Sequence, residues 1–390
     1  MISIKSIDIE GSGVVKQTLY NAVLLEGDEL EVTSGYLVIS DGVIEKIGEG
    51  MPTKRGKDLK HAFILPPFIN AHTHVADSVA KDIYLGKTQT EAVGPNGAKF
   101  RELRSRVDSE IVASIGTTLG DMLRTGTLAH CDFREGGLAG VELLRRSSIP
   151  SVHSIVLGRP SNSEKLEEIL KVSDGVGLPS LEDFAQSELK RISRKVTGAK
   201  KIFAIHVAET AEARKSSVKA TGKSEVRRAL DLDPSFLVHC TWATEEDFVH
   251  IRRAAVPVVF CSRANSLLGA GVPPIHLALA AGAEFYLGTD NVTVCQPNMF
   301  EELSFAWACL RRADSRAGGE EARKLLCSVT VEARKLFALS WGSVHEGSPA
   351  TFMVLGRRQN LLNLTDVHAG IVNRARADNI REIYLDGRII

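Results

Sequence analysis

Two imidazoles stand two residues apart in Ile69-Asn-Ala-His72-Thr-His74, directly after an apolar run. On a β-strand that spacing projects both rings from one face, so the pair could share a single divalent cation at the strand's end. Alone, a His-x-His pair is more often solvated or hydrogen-bonded than metallated. Three further polar groups change that balance: His206 closes Phe203-Ala-Ile-His206, His239 closes Phe236-Leu-Val-His239, and Asp290 closes Leu287-Gly-Thr-Asp290. Each follows an apolar run that belongs inside a protein, where an unpaired imidazole or carboxylate is costly. Five such groups at the ends of four runs call for a shared partner, and one divalent metal ion satisfies them. A nitrogen-rich donor set suits Zn2+, while Fe2+ and Mn2+ also accept it.

Glu209 lies three residues beyond His206. Leaving a strand, that offset can set a carboxylate beside the metal without ligating it, where it could carry a proton. The same residue could instead open the next helix and favour its positive dipole end. Among the other histidines, His130 falls inside a strand-like run and reads as core, but Asp132, Arg134 and Glu135 follow it toward Gly136-Gly137. Arg134 and Glu135 are therefore candidates for the pocket lining, with an internal salt bridge as the plainer reading. Six cysteines (Cys131, Cys240, Cys261, Cys295, Cys309 and Cys327) show no CxxC pair and no dense framework of the secreted kind. Cys240 alternates with His239 along a strand and so points away from it into packing.

The elements that must position these residues can be read from periodicity. From Phe63 to about Leu339, short apolar runs alternate with amphipathic helical stretches, the pattern of repeated βα units on a parallel sheet. Eight strands are predicted: 63–69, 127–133, 150–157, 175–178 (the weakest), 202–207, 236–240, 256–261 and 283–287. Helices are predicted between them, including 101–124, 181–196, 224–230, 245–254 and 298–312. The pattern predicts an α/β protein with a (β/α)8 TIM barrel over residues 61–344, its catalytic groups at the C-terminal strand ends. A doubly wound open sheet also fits the alternation.

Residues 1–60 carry short strands broken by Gly and Asp, with a hairpin signal at Asp41-Gly42. Residues 345–390 return to strands and turns, so both termini are expected to build one small β-sandwich domain. The connection from Ala76 to Phe100 exceeds ordinary loop lengths, which suggests a lid or pocket wall.

Composition narrows the function classes. The 390 residues carry 48 Lys+Arg against 48 Asp+Glu, and no segment concentrates one sign as a phosphate-backbone footprint would, which argues against nucleic-acid binding. No run approaches the roughly 18 apolar residues of a membrane span, and Met1 to Gly13 is charged where a signal peptide would be apolar. The expectation is a cytoplasmic protein acting on a small-molecule substrate. Assembly into a homo-oligomer is compatible with the sequence.

The set His72-x-His74, His206 with Glu209, His239, and Asp290 in Gly288-Thr-Asp290-Asn291 resembles the metal-dependent amidohydrolase superfamily. Within it, the chain looks like the cytosine-deaminase-like branch of chlorohydrolases and S-adenosylhomocysteine or methylthioadenosine deaminases. The resemblance covers nearly the whole chain and implies that His72, His74, His206 and Asp290 are the metal ligands. It further implies that His239 polarises bound water and substrate, and that Glu209 is the proton shuttle, with Asp290 relaying the water's proton. No lysine ends the fourth strand, where Val176 to Leu178 stands, so the carbamylated lysine of two-metal relatives has no candidate and one metal is implied.

Cys261-Ser-Arg-Ala-Asn265 is similar to the branch's Cys-Pro-x-x-Asn segment, with Ser262 in place of proline. Asn265 is then either a substrate contact or a left-handed turn residue. The implied activity is hydrolytic deamination of an amino-substituted nitrogen heterocycle through a metal-bound hydroxide, releasing ammonia. Hydrolysis of a cyclic amide, an imidazolone or a chloro-heterocycle is the alternative at the same centre, and a non-catalytic scaffold is the remaining one.

Overall fold

Four strands open the described part of the chain: β1 (Lys16–Glu26), β2 (Glu31–Ser40), β3 (Val43–Glu49) and β4 (Lys57–Leu65). The structure is a computed structural model that describes residues 16–54, 56–160 and 166–390; the signal-peptide reading of Met1 to Gly13 lies outside the described residues. β2 and β3 form the hairpin expected at Asp41-Gly42, pairing Ser40 with Val43. Both turn residues have positive φ, 49° and 81°, as a two-residue turn matched to strand twist requires.

Eight segments between residues 68 and 291 then pair in parallel. In chain order they are β5 (Phe68–His74), β6 (Thr127–Arg134), β7 (His153–Gly158), β8 (Gly175–Leu178), β9 (Ile202–Val207), β10 (Phe236–His239) and β11 (Val258–Phe260), with an eighth strand in two pieces, β12 (Phe285–Leu287) and β13 (Asp290–Asn291). β12 pairs with β11, whereas β13 pairs with β5, so the broken eighth strand joins the two ends of the curled sheet. The break falls at Gly288-Thr289. A Cβ on residue 288 would lie 2.6 Å from the His72 Cβ, so only glycine lets the eighth strand come this close to β5. β8, the weakest strand in the sequence, pairs with both neighbours.

The last strands, β14 (Phe352–Leu355), β15 (Ile380–Leu385) and β16 (Arg388–Ile389), join β1 to β4 in one seven-stranded sheet ordered β16-β15-β14-β4-β1-β2-β3. Strands from both ends of the chain thus share a sheet. Its core is formed by side chains such as Leu19, Leu37, Ile64, Phe352 and Tyr384.

Three sequence expectations need correction. The strand expected over 63–69 divides at Pro66-Pro67, with residues up to Leu65 in the seven-stranded sheet and those from Phe68 in the parallel one. Two successive prolines offer no N–H to a ladder, which makes this the natural point to leave one sheet for the other. The helix expected over 101–124 is two helices, Ala98–Ser105 and Asp108–Arg124, separated by extended backbone at Arg106 and Val107. Finally, the C-terminal region is not all strand and turn. Asp366 caps a helix over Val367–Arg374 that packs on the helices Met299–Ala313 and Gly319–Cys327. No helix among the described residues is long and apolar enough to cross a membrane.

Candidate metal centre

The strand ends bring the expected groups together. His72 and His74 lie on β5 with both rings buried, their centroids 4.9 Å apart and nearly perpendicular. His72 Nε2 is 3.3 Å from His206 Nε2 on β9 and 3.2 Å from Asp290 Oδ1. That same oxygen is 3.4 Å from His74 Nε2. His239, the last residue of β10, has its ring centroid 5.1 Å from that of His206. One donor atom each from His72, His206 and His239, and likewise from His72, His74 and Asp290, fall within 4.8 Å of one another.

The backbone bends sharply to achieve this. Ala208, His239 and Asp290 all have positive φ, at 49°, 73° and 60°. Such conformations cost on the order of 1–3 kcal/mol each outside glycine and concentrate at functional sites. Here they turn the chain just where three strands release their polar side chains toward one point.

Electrostatics support a cation at that point. Burial holds the imidazoles of His72 and His206 below their usual pKa and pushes His74 down to about 3, keeping all three neutral and able to donate lone pairs. Burial alone would raise Asp290, but the hydrogen bond from His72, with the imidazoles of His239 and His74 close by, holds it well below the usual carboxylate range. His206 Nδ1 lies 2.7 Å from the Leu178 carbonyl at the end of β8; donating there leaves Nε2 as the free lone pair. Asp290 Oδ2 and His72 Nδ1 are buried without a hydrogen-bond partner among the described residues. Ligands each about 2.0–2.1 Å from one zinc-sized ion lie roughly 3 Å from one another, so the observed separations fit a shared divalent metal.

A cavity of about 710 Å³ opens over the cluster, lined by Gln89, Lys99, Phe100, Arg159, Phe184 and Glu225 among others. Glu209 lies in its wall, with Oε1 accepting from Gln89 Nε2 at 3.0 Å and Oε2 3.8 Å from His239 Nε2. It does not begin the next helix, which starts at Ala211 with Thr210 as its cap. The long segment after Ala76 supplies the wall residues Gln89, Lys99 and Phe100, and it is folded into short helices rather than an open loop.

The three weaker site candidates are placed differently. Asn265 is buried inside the helix Ser262–Leu267, not in a left-handed turn, and lies behind His239 rather than on the cavity wall. Its Oδ1 accepts from Thr241 Oγ1 at 3.2 Å, and His239 Nδ1 lies 3.2 Å from its Nδ2 and 3.3 Å from its Oδ1. With Nδ1 accepting, the imidazole proton sits on Nε2, which faces Glu209. Ser262 uses the N–H that a proline would lack, donating to the buried Glu302 Oε1 at 2.6 Å. Arg134 and Glu135 are also buried and bond to each other, the internal salt bridge, and neither lines the cavity. Glu135 Oε1 instead stands 2.8 Å behind His74 Nδ1. Cys240 is a free thiol packed in the core.

Sequence reasoning missed Gln89, Lys99, Phe100, Arg159, Phe184 and Glu225. Of these only Arg159, directly after β7, stands at a strand end. Only the unusual length of the 76–100 connection marked the region from which three of them come.

Fold and cluster together define a curled parallel α/β barrel with a centre of histidines and one aspartate able to hold a divalent metal at its C-terminal strand ends. The chain belongs to the amidohydrolase family, whose family model matches residues 63–390. An uncharacterized protein of Methanocaldococcus jannaschii is 33% identical over 380 residues, spanning 94% of this chain and 97% of that protein. A 5-methylthioadenosine/S-adenosylhomocysteine deaminase of Pyrococcus furiosus is 26% identical over 414 residues, covering 95% of this chain and 94% of its own length. Among solved structures, an atrazine chlorohydrolase from Arthrobacter aurescens complexed with zinc superposes with a TM-score of 0.81 at 16% identity, covering 95% of this chain and 94% of that one.

Proposed function

We propose that this protein is an aminohydrolase that deaminates an amino-substituted nitrogen heterocycle of the nucleobase or nucleoside kind. One divalent metal ion, zinc foremost, would be held by His72, His74, His206 and Asp290. The observation that carries the reading is the convergence of His72, His74 and His206 Nε2 with Asp290 Oδ1 at the foot of a cavity that also presents Glu209.

When bound, the metal supplies Lewis acidity and lowers the pKa of a coordinated water toward about 7. The chain's own residues do the rest. Asp290 Oδ2, buried with no partner among the described residues, is the atom free to receive the proton that the attacking water gives up. Glu209 Oε1 is tied to Gln89, which leaves Oε2 to protonate the ring nitrogen beside the reacting carbon. His239, its Nδ1 supported by Asn265, presents Nε2–H as a donor to the oxygen that gains charge. The proton held by Asp290 then goes to the exocyclic amine, which leaves as ammonia, while the hydroxyl proton of the adduct returns to Glu209 and replaces the one given to the ring nitrogen. Phe100 and Phe184 in the cavity wall offer apolar surface against which a flat ring can lie.

The test is ammonia release by metal-replete protein from a panel of aminopurines, aminopyrimidines, pterins and adenosine derivatives, with metal content measured in parallel. Release from at least one compound, abolished by chelation and restored by zinc, is the expected result. Bound metal with no ammonia from any compound would overturn the deaminase reading.

A further inference from the structure

Lys99 belongs to the cavity wall, and the chemistry above leaves it unused. It stands near the start of the helix Ala98–Ser105 and is only 3% exposed. A buried ammonium persists only where it is paired. Its Nζ lies 2.6 Å from Glu135 Oε1, donates to Asn291 Oδ1 at 2.8 Å, and is 3.6 Å from Asp77 Oδ2.

Each of the first two partners touches a different member of the histidine–aspartate cluster. Glu135 Oε1 is 2.8 Å from His74 Nδ1, and Asn291 Nδ2 donates to Asp290 Oδ1 at 2.9 Å. Glu135 follows β6 and Asn291 lies on β13, the two strands that flank β5. One cation from outside the sheet therefore grips the carboxylate behind one imidazole and the amide behind one carboxylate. The neighbouring helix of the same wall, Gln89–Val93, reaches Glu209 through Gln89.

We propose that Lys99 is a positioning residue for the metal centre: by fixing Glu135 and Asn291 it sets His74 and Asp290 in their ligating orientation, and it thereby couples metal binding to the seating of the wall helix Ala98–Ser105. The inference rests on the reading of His74 and Asp290 as ligands. Outer partners that orient a ligating histidine typically contribute about 10–100-fold in metal affinity. The coupling is reciprocal, because a wall that favours the metal must itself be favoured by the metal.

The experiment is zinc titration against a competing chelator, combined with hydrogen exchange on the wall helix with and without zinc. Lys99→Met should weaken zinc binding by about 10–100-fold, and Glu135→Gln, which cuts only the His74 arm, by less. Lys99→Arg should recover part of the loss. In the parent protein zinc should slow exchange at residues 98–105, and in Lys99→Met it should not.

Arg101→Ala serves as the control. It perturbs the same helix from its exposed side, where the Arg101 guanidinium donates to the Asn96 carbonyl, and zinc affinity should stay at the parent value. Equal losses in Lys99→Met and Arg101→Ala, or no loss in Lys99→Met and Glu135→Gln, would overturn the role of Lys99. If Lys99→Met fails to fold, Glu135→Gln and the exchange response of the parent decide the matter. A parent protein that binds no zinc at all sinks instead the metal reading on which the inference rests.

Discussion

Two buried polar clusters share strand β5 and differ in one respect. Inside the barrel, His72, His74 and His206 meet Asp290, with buried atoms left unpartnered. On the opposite face of the same strand, Thr73 meets His130 of β6, and there the hydrogen bonding closes on itself. Thr73 Oγ1 donates to Asp132 Oδ2 at 3.0 Å and lies 2.9 Å from His130 Nδ1, while His130 Nε2 lies 2.7 Å from Ser154 Oγ. Burial pushes His130 and His74 down to about 3 alike, so neither burial nor a depressed pKa separates the groups. What separates them is whether the protein itself supplies the last partner. Buried polar groups are almost always satisfied, so a cluster that is not implies a partner from outside.

The largest effect that could break this comparison is loss of a metal-facing imidazole. His72→Ala should reduce zinc affinity by more than the roughly 10–100-fold that an outer partner contributes, and His130→Gln should leave it unchanged. Chelator competition measures both, and parallel losses would erase the distinction. Next comes Glu209→Gln, which should lower kcat by about 100- to 10,000-fold while zinc content stays at one equivalent, because in the proposed function Glu209 moves a proton and holds no metal. Measured ammonia release and metal analysis on the same sample separate the two quantities; a Glu209→Gln protein that also loses zinc would make Glu209 a ligand or a support for one.

Much of this was legible in the sequence, for a physical reason. His72, His74, His206, His239 and Asp290 sit at strand ends, and a strand end is marked by the apolar run before it. The period-2 rule then put His72 and His74 on one face and Thr73 on the other. The break of the eighth strand at Gly288 was not legible, because it depends on how near β5 passes. Likewise, Asn265, Arg134 and Glu135 carry the residue types of a substrate pocket, yet they lie one layer behind it. Whether a polar side chain faces the cavity or the back of a ligand is set by packing in three dimensions. The wall residues Gln89 and Lys99 come from a connection whose helices are too short to show a period.

The closed cluster should reveal itself in stability rather than metal binding. His130→Phe leaves the Thr73 and Ser154 hydroxyls each short of a buried partner, at a cost of about 1–3 kcal/mol, measurable by urea unfolding, with zinc affinity unaffected.

The smallest net effect in the parent lies in the pH dependence, where two buried groups oppose each other. His130 falls from 6.5 to about 3 on burial, so between those values the unfolded chain holds a proton that the folded one excludes, and stability drops as pH falls from 6.5 toward 3. Glu302, which receives the Ser262 N–H, is raised by burial from 4.5 to about 7, so the folded chain keeps a proton that the unfolded one releases, and stability drops as pH rises from 4.5 toward 7. Each slope is at most one proton, about 1.4 kcal/mol per pH unit. In the shared window from 4.5 to 6.5 the two offset each other. Relative to the parent, His130→Gln should therefore make unfolding easier as pH rises through that window, and Glu302→Gln should make it harder. Urea midpoints of the metal-free proteins at several pH values read the two differences directly; slopes of the same sign in both variants would mean that one of these groups does not titrate as its surroundings dictate.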